Sequence, residues 1–355
     1  MNLMSRTASK RVLYSIPVII GSSALAVALI APQISTAQSP DLSPVTTTQL
    51  VSWISNSHPV PLSGTVTGVT SFPIPSVSAL STSPSASLSG SSSGTYNVWA
   101  NGKGSFRIQS VTTSGETDLY VNPGSVWLWD SSKLTATKES IANYGSMGVM
   151  SSPNPQIAAS SIVSKLSRQA TLSVSGTTVV AGRPAYTLSI SPNAPDSLIG
   201  SINISVDAAT HVADQIQVIP KGSKTPAAAS LGFNTLSFSA QPASIFSFSP
   251  PPGAKVIVPN NSQTSGGTQM TGSTATQSKP QIVGTGFDAV VVAHIPSKAL
   301  SSYGALLKVL PQVSTSQGPA YEYSNPIFQA LILRNGTIVA GSVSTSRLLQ
   351  VIGTL

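Results

Sequence analysis

The chain runs to 355 residues with 40% hydrophobic content, enough for a sizeable core, yet only 8% of its residues are charged. An average soluble domain carries roughly 25% charge, so Ser and Thr must supply much of the polarity here, as suits an exported β-protein with a neutral surface. The net charge of +8 comes without any run of four or five Lys and Arg, which argues against a nucleic-acid surface, and the absence of cysteine excludes disulfides, thiolate metal sites, a Cys nucleophile and a lipidated cysteine.

Arg6, Lys10 and Arg11 precede an apolar run at 12–30, and Ser35-Thr36-Ala37 offers a small-x-small cleavage site before Gln38. Residues 1–37 therefore read as a signal peptide or a signal anchor. The apolar run is longer than a usual secretory core and approaches the roughly 20 residues that span a bilayer, so cleavage and retention both stay open. Either outcome places the rest of the chain outside the cytoplasm, on the secreted, periplasmic or cell-wall side, with 15 basic against 10 acidic residues and a net charge of +5.

A main domain is expected over 44–257. Leu50, Val51, Trp53 and Ile54 at helical spacing predict a helix over 45–56. A strand over 62–69 leads into a Ser/Pro-rich insertion at 73–94. Strands follow over 96–100, 105–111, 117–121 and 125–129, divided by Asn101-Gly102, Ser114-Gly115 and Asn122-Pro123-Gly124. Ile157, Ala158, Ile162, Val163 and Leu166 predict a second helix over 155–166. Alternation then predicts strands over 170–174, 177–180, 185–190, 201–206, 213–219 and 233–238. A meander of about ten or eleven strands curls around its contents, leaving a filled core or a ligand cavity.

Pro250-Pro251-Pro252-Gly253 ends this domain, and 258–281 reads as a flexible polar linker. Residues 282–355 then predict a small β-α-β-β-α unit: strand 289–295, helix 297–310, strand 327–333, an Asn335-Gly336 turn, strand 337–343 and helix 345–352. The fold class is mainly β (α+β).

Several phrases carry a resemblance. They are Ser125-Val126-Trp127-Leu128-Trp129-Asp130, the run from Val179 through Arg183-Pro184 to Leu188, Ile204-Ser205-Val206-Asp207 followed by His211 to Val218, and the close from Phe246 through Pro250-Pro251-Pro252-Gly253 to Val256. In their order and wording, residues 45–257 resemble the LolA-like family of extracytoplasmic lipoprotein carriers and its relatives, the RseB-type sigma-factor regulators. The tail beyond residue 280 looks like an extension found in one branch. The resemblance implies an incomplete antiparallel barrel wrapped over helices, with an apolar interior that accepts acyl chains of a lipid or an acylated protein. For the regulators it implies instead a membrane anti-sigma factor as partner. The insertion, the C-terminal domain and the possible anchor depart from the carrier pattern. A tethered carrier cannot shuttle between membranes, whereas a tethered sensor or local chaperone still works.

With that interior in mind, Trp99, Phe106, Trp127, Trp129, Tyr186 and Phe246 are the candidate cavity-lining residues. Trp127 and Trp129 share one strand face while Val126 and Leu128 share the other. The phrase around Arg183 reads as a hairpin turn with an exposed Arg, and Asp207 as a cap for the loop that ends at His211. Gly90-Ser91-Ser92-Ser93-Gly94 matches a nucleophile elbow in letters only, since it lies in a Ser-rich linker without the strand-to-helix context. His58, His211 and His294 lack metal-ligand spacing, and no Gly-rich loop joins a strand to a helix. A non-catalytic binding protein without a cofactor, metal or nucleic-acid partner is expected, working close to a membrane.

Overall fold

A computed structural model describes residues 40–56, 59–70, 92–139, 154–223, 227–258, 280–295, 300 and 304–355. Gln38–Leu355 forms one compact unit. The leader, most of the insertion and most of the linker expected from the sequence lie outside the described residues. Ser92, Ser93 and Gly94, placed in the insertion by sequence, belong to a strand.

Helix α1, Thr47–Ser55, opens the unit with a capping box. The Thr46 hydroxyl accepts from the Gln49 amide at 3.2 Å, and the Gln49 side chain accepts from the Thr46 amide at 2.8 Å. Helix α2, Pro155–Leu166, starts at Asn154, whose Oδ1 accepts from the amides of Gln156 and Ile157, with Pro155 pre-set for the first turn.

The strands between and after these helices are β1 (Pro61–Thr70), β2 (Ser92–Asn101), β3 (Phe106–Thr112), β4 (Gly115–Asn122), β5 (Ser125–Asp130), β6 (Thr135–Glu139), β7 (Ala170–Val180), β8 (Arg183–Pro192), β9 (Ile199–Asp207), β10 (Ala213–Pro220), β11 (Ala229–Ser237) and β12 (Lys255–Ile257). They form one sheet in the order β12-β6-β5-β4-β3-β2-β1-β11-β10-β9-β8-β7. Two meanders are thus joined where β1 pairs with β11. The sheet is antiparallel except for β12, which runs parallel to β6. It does not close, so the incomplete barrel over helices expected from the sequence is what the chain forms.

Three details differ from expectation. The strands expected over 170–174 and 177–180 are one strand, β7, with its register shifted between Val174 and Gly176; the Gly176 φ of 125° suits that irregularity. Strands β6 and β12 are additional. Phe246, read as part of a closing strand, lies in a 3-10 turn, Ala243–Phe246.

The second sheet has the order β13-β14-β18-β17-β16-β15, built from Gln281–Val283, Val290–His294, Gln312–Thr315, Gly318–Asn325, Phe328–Leu333 and Thr337–Gly341 for β13 to β18 in turn. Of the helix expected over 297–310, Gly304–Leu307 forms the short helix α3 while 308–310 is turn; α4 is Thr345–Ile352. Strands β13, β15 and β16 were not expected from the sequence. Leu348, Val351 and Ile352 of α4 cover one face of this sheet at Val290, Leu331, Leu333 and Val339.

The two sheets meet directly. Ser197 bridges to Val343, Ser344 donates its amide to Asp196 O at 2.8 Å and its hydroxyl to Asp196 Oδ1 at 2.6 Å, and Gln169 reaches Thr285 Oγ1 at 3.2 Å. Phe287 is buried in the core beneath α1 and α2.

Candidate ligand-binding surfaces

Cross-strand pairs share a face, so the registers divide the first sheet into two sides. The inner side is mainly apolar from β7 as far as Val126 and Leu128 of β5, and turns polar at Asp130, Thr135 and Thr137. Over β7 to β10 it is filled by the protein itself, with Leu50, Ile54, Ala159 and Val163 packed on Leu188, Ile190, Ile202, Ile204, Val206 and Ile216. Gln156 ties this layer together, donating to Ile54 O at 3.1 Å and accepting from the Ala213 amide at 2.6 Å.

The same side continues across β1 to β5. Leu62, Val66, Val98 and Ile108 form a second buried cluster with Phe233, joined by Phe106, Leu119 and Leu236. The register carries the row on through Val121 opposite Val126 and Leu119 opposite Leu128. Helix α1 packs against β7 and β8, and α2 against β10 and β11. This half of the inner side is the candidate surface for an apolar ligand.

The six residues singled out by sequence do not share that surface. Phe106 is on it, opposite Ala100 and Val121. Tyr186 is in the filled half, where its hydroxyl donates to Ser43 O at 2.8 Å and its ring lies 5.9 Å from Trp53. Trp99, Trp127 and Trp129 are on the outer side, opposite Arg107, Tyr120 and Asp118 respectively. Phe246 is buried in its 3-10 turn, held by Asn122, which donates to Phe246 O at 2.6 Å.

What covers the outer tryptophans is the chain's own exit from β11. This strap crosses to the far edge and seats Phe248 among Tyr120, Trp127 and Trp129, at ring-centroid distances of 4.9, 5.5 and 6.0 Å. Beside it, the Arg107 guanidinium lies between the rings of Trp99 and Tyr120, at 5.1 and 4.7 Å. Arg107 also pairs with buried Asp118, Nε to Oδ1 at 2.7 Å. Burial, reinforced by a hydrogen bond with Glu116 and opposed by Arg107, pushes the Asp118 carboxyl up to about 6. Burial and then the Asp118 charge push the Tyr120 phenol up to about 12.

A second ionic group sits at the ends of β7 to β10. Arg183, expected to be exposed, is half-buried and forked onto Asp207, with Nε to Oδ2 at 2.5 Å and an Nη to Oδ1 at 3.2 Å. Asp207 has the capping role read from the sequence, accepting from the amides of Ala209 and Thr210 and from the Thr210 hydroxyl. Although burial raises its pKa, these bonds hold the carboxyl below the usual range. Neighbouring Asp214 is fully buried, and neither of its carboxyl oxygens has a hydrogen-bond partner among the described residues. Burial and then the Asp207 charge push its carboxyl up to about 8.

Arg107, Asp118, Asp214 and Phe248 escaped the sequence reading. The first two carried a usable signal. A two-residue turn after Thr112 fixes the register that sets Arg107 opposite Tyr120, two pairs along from Asp118 and on the same face. Among the described residues no group of three His, Asp or Glu could hold a metal ion, and no helix is long and apolar enough to cross a membrane.

No family model and no curated protein matches the sequence. Among solved structures, the chain is similar to MucB, at 13% identity and a TM-score of 0.41, over 86% of this chain and 96% of that one. It is also similar to a LolA superfamily protein from Nitrosomonas europaea, at 10% identity and a TM-score of 0.26, over 58% and 99% of the two chains. A third likeness is to the Mycobacterium tuberculosis lipoprotein LppX, at 13% identity and a TM-score of 0.31, over 55% and 97%.

Proposed function

We propose that the chain is an extracytoplasmic, non-catalytic binding protein that holds acyl chains, of a lipid or of an acylated protein, against the inner side of β1 to β5. One observation carries this reading: the apolar inner side extends beyond the strands on which α1 and α2 pack, over the buried Leu62, Val66, Val98 and Ile108 to Phe106, Leu119 and Leu128, which are only half-buried. Such a surface recognises a greasy chain by area and not by a motif. Each buried methylene contributes about 0.8 kcal/mol, so about ten give a gross gain near 8 kcal/mol before ordering costs. The leader read at 1–37 supports a site of work outside the cytoplasm.

Residues 38–355, purified and extracted with organic solvent, are expected to release bound lipid and, once stripped, to take up a fluorescent fatty acid. Leu119→Trp, which fills the proposed surface from a half-buried position, is expected to cut that uptake. Absence of both lipid and uptake would remove the reading.

A second reading, a regulatory module that binds an extended segment of a membrane anti-sigma factor, is favoured by β7. This edge strand is eleven residues long and carries no charged side chain, so apart from its irregularity at Gly176 it lacks the charge or proline that usually guards an edge against strand addition. A synthetic anti-sigma segment protecting β7 amides from hydrogen exchange would favour it over the first.

A further inference from the structure

We infer that the sheet edge formed by β5, β6 and β12 docks on an anionic membrane surface. Large apolar side chains gather there in water: Leu134 is 55% exposed, Val256 49%, Ile257 38% and Val258 58%, with Val111 at 62% on the adjoining hairpin. Leu134 and 256–258 follow one another along this edge, with Val256 and Ile257 on opposite faces of it, and Val111 stands apart on β3. The Lys255 amide donates to Leu134 O at 2.8 Å, and Val256 and Ile257 lie opposite Ala136 and Thr137. Val111 lies opposite Glu116, whose carbonyl accepts from Ser131 in the β5–β6 turn.

Basic residues accompany the apolar ones. Lys133 is 74% exposed and paired with Asp130 at 2.5 Å, Lys138 stands over the half-buried Trp127 ring at 5.6 Å, and Lys255 is exposed. Asp130, Glu139 and, on the adjoining hairpin, Glu116 are the acidic residues beside them, so the charge of the edge itself is balanced and the attraction comes from the unit as a whole. Aliphatic side chains with a Trp and flanking Lys are the composition of segments that lie in the headgroup region, where the apolar groups sink and the amines meet lipid phosphates. The +5 charge beyond the leader draws the unit towards such a surface. A protein strand adding to this edge would find in β12 only three residues to pair with, followed closely by Pro259. The inference extends the acyl-chain reading, because a lipid ligand has to be collected from a bilayer, and its test separates the two.

Residues 38–355, which form a compact unit with their own cores, are floated with vesicles of phosphatidylcholine alone or mixed with phosphatidylglycerol. Flotation with the mixed vesicles is expected, weakened by added salt. The combined variant Leu134→Ser, Val256→Ser, Val258→Ser is expected to bind them roughly tenfold less, while keeping the parent's unfolding midpoint and fatty-acid uptake. Equal flotation of variant and parent, or no flotation of the parent, overturns the inference. Variant-sensitive flotation without any fatty-acid uptake leaves the docking edge standing and removes the acyl-chain reading instead.

Discussion

The imidazole of His211 lies flat on the indole of Trp53, with ring centroids 3.7 Å apart and planes within 5° of parallel. This stack joins the β9–β10 turn to α1. His211 holds a φ of 60°, a left-handed conformation uncommon for a non-glycine residue, and the Asp207 cap closes the same turn. Trp53→Ala is expected to lower unfolding stability by about 2 kcal/mol, less than a fully buried Trp would cost. Urea denaturation measures it, and a loss within error of zero would mean the stack does not fasten the helix.

Asp214 makes stability depend on pH. Its carboxyl rises from an ordinary 3.8 to about 8 on folding, so the folded state holds the proton more tightly. That contribution is complete below about pH 4 and is lost as pH rises through about 8. Asp118, raised to about 6, acts in the same sense over the lower part of that window. Asp207, whose pKa is depressed, opposes only at acid pH, below its unfolded value. The melting temperature should therefore rise as pH falls from 8.5 towards 5, by scanning calorimetry (about pH 5 sits above the Asp207 range). Asp214→Asn should flatten this trend, and an unchanged slope in that variant would assign it elsewhere.

Removing Arg183 leaves the Asp207 carboxylate buried with only its loop donors. Arg183→Met is expected to cost about 2 kcal/mol, below the range for a fully buried pair because the Arg is partly exposed. Arg183→Lys should recover only part, since one ammonium cannot copy the two-pronged bond. Full recovery by Lys in denaturant titrations would argue against the fork.

Phe248→Ala should open the niche over Trp127 and Trp129. Their fluorescence emission is expected to shift to the red, with a stability loss of about 1–2 kcal/mol and unchanged fatty-acid uptake. Reduced uptake would place the outer aromatics in ligand binding after all.

Local chemistry was legible in the sequence: the glycine turns and the Asp207 loop each follow from residues near in sequence. Strand β6 was not, because Thr135-Ala136-Thr137-Lys138 has no apolar alternation and is a strand through its pairing with β5 and β12. Alternation separated Trp127 and Trp129 from Val126 and Leu128, but a period of two leaves open which side meets the helices. That choice is made by the strap, whose Phe248 follows Trp129 only after more than a hundred residues.

The seam between β1 and β11, with Ser63 opposite Ser237 and Thr70 opposite Ala229, has a kinetic consequence. As the chain is synthesised, β2 to β6 can zip sequentially, but β1 stays without its second neighbour until β11 arrives. Closing such a wide loop is slow compared with forming hairpins. Refolding should then show fast assembly of both meanders and a slower step at the seam, and throughout that interval the nascent protein exposes strand edges that folding helpers could shield.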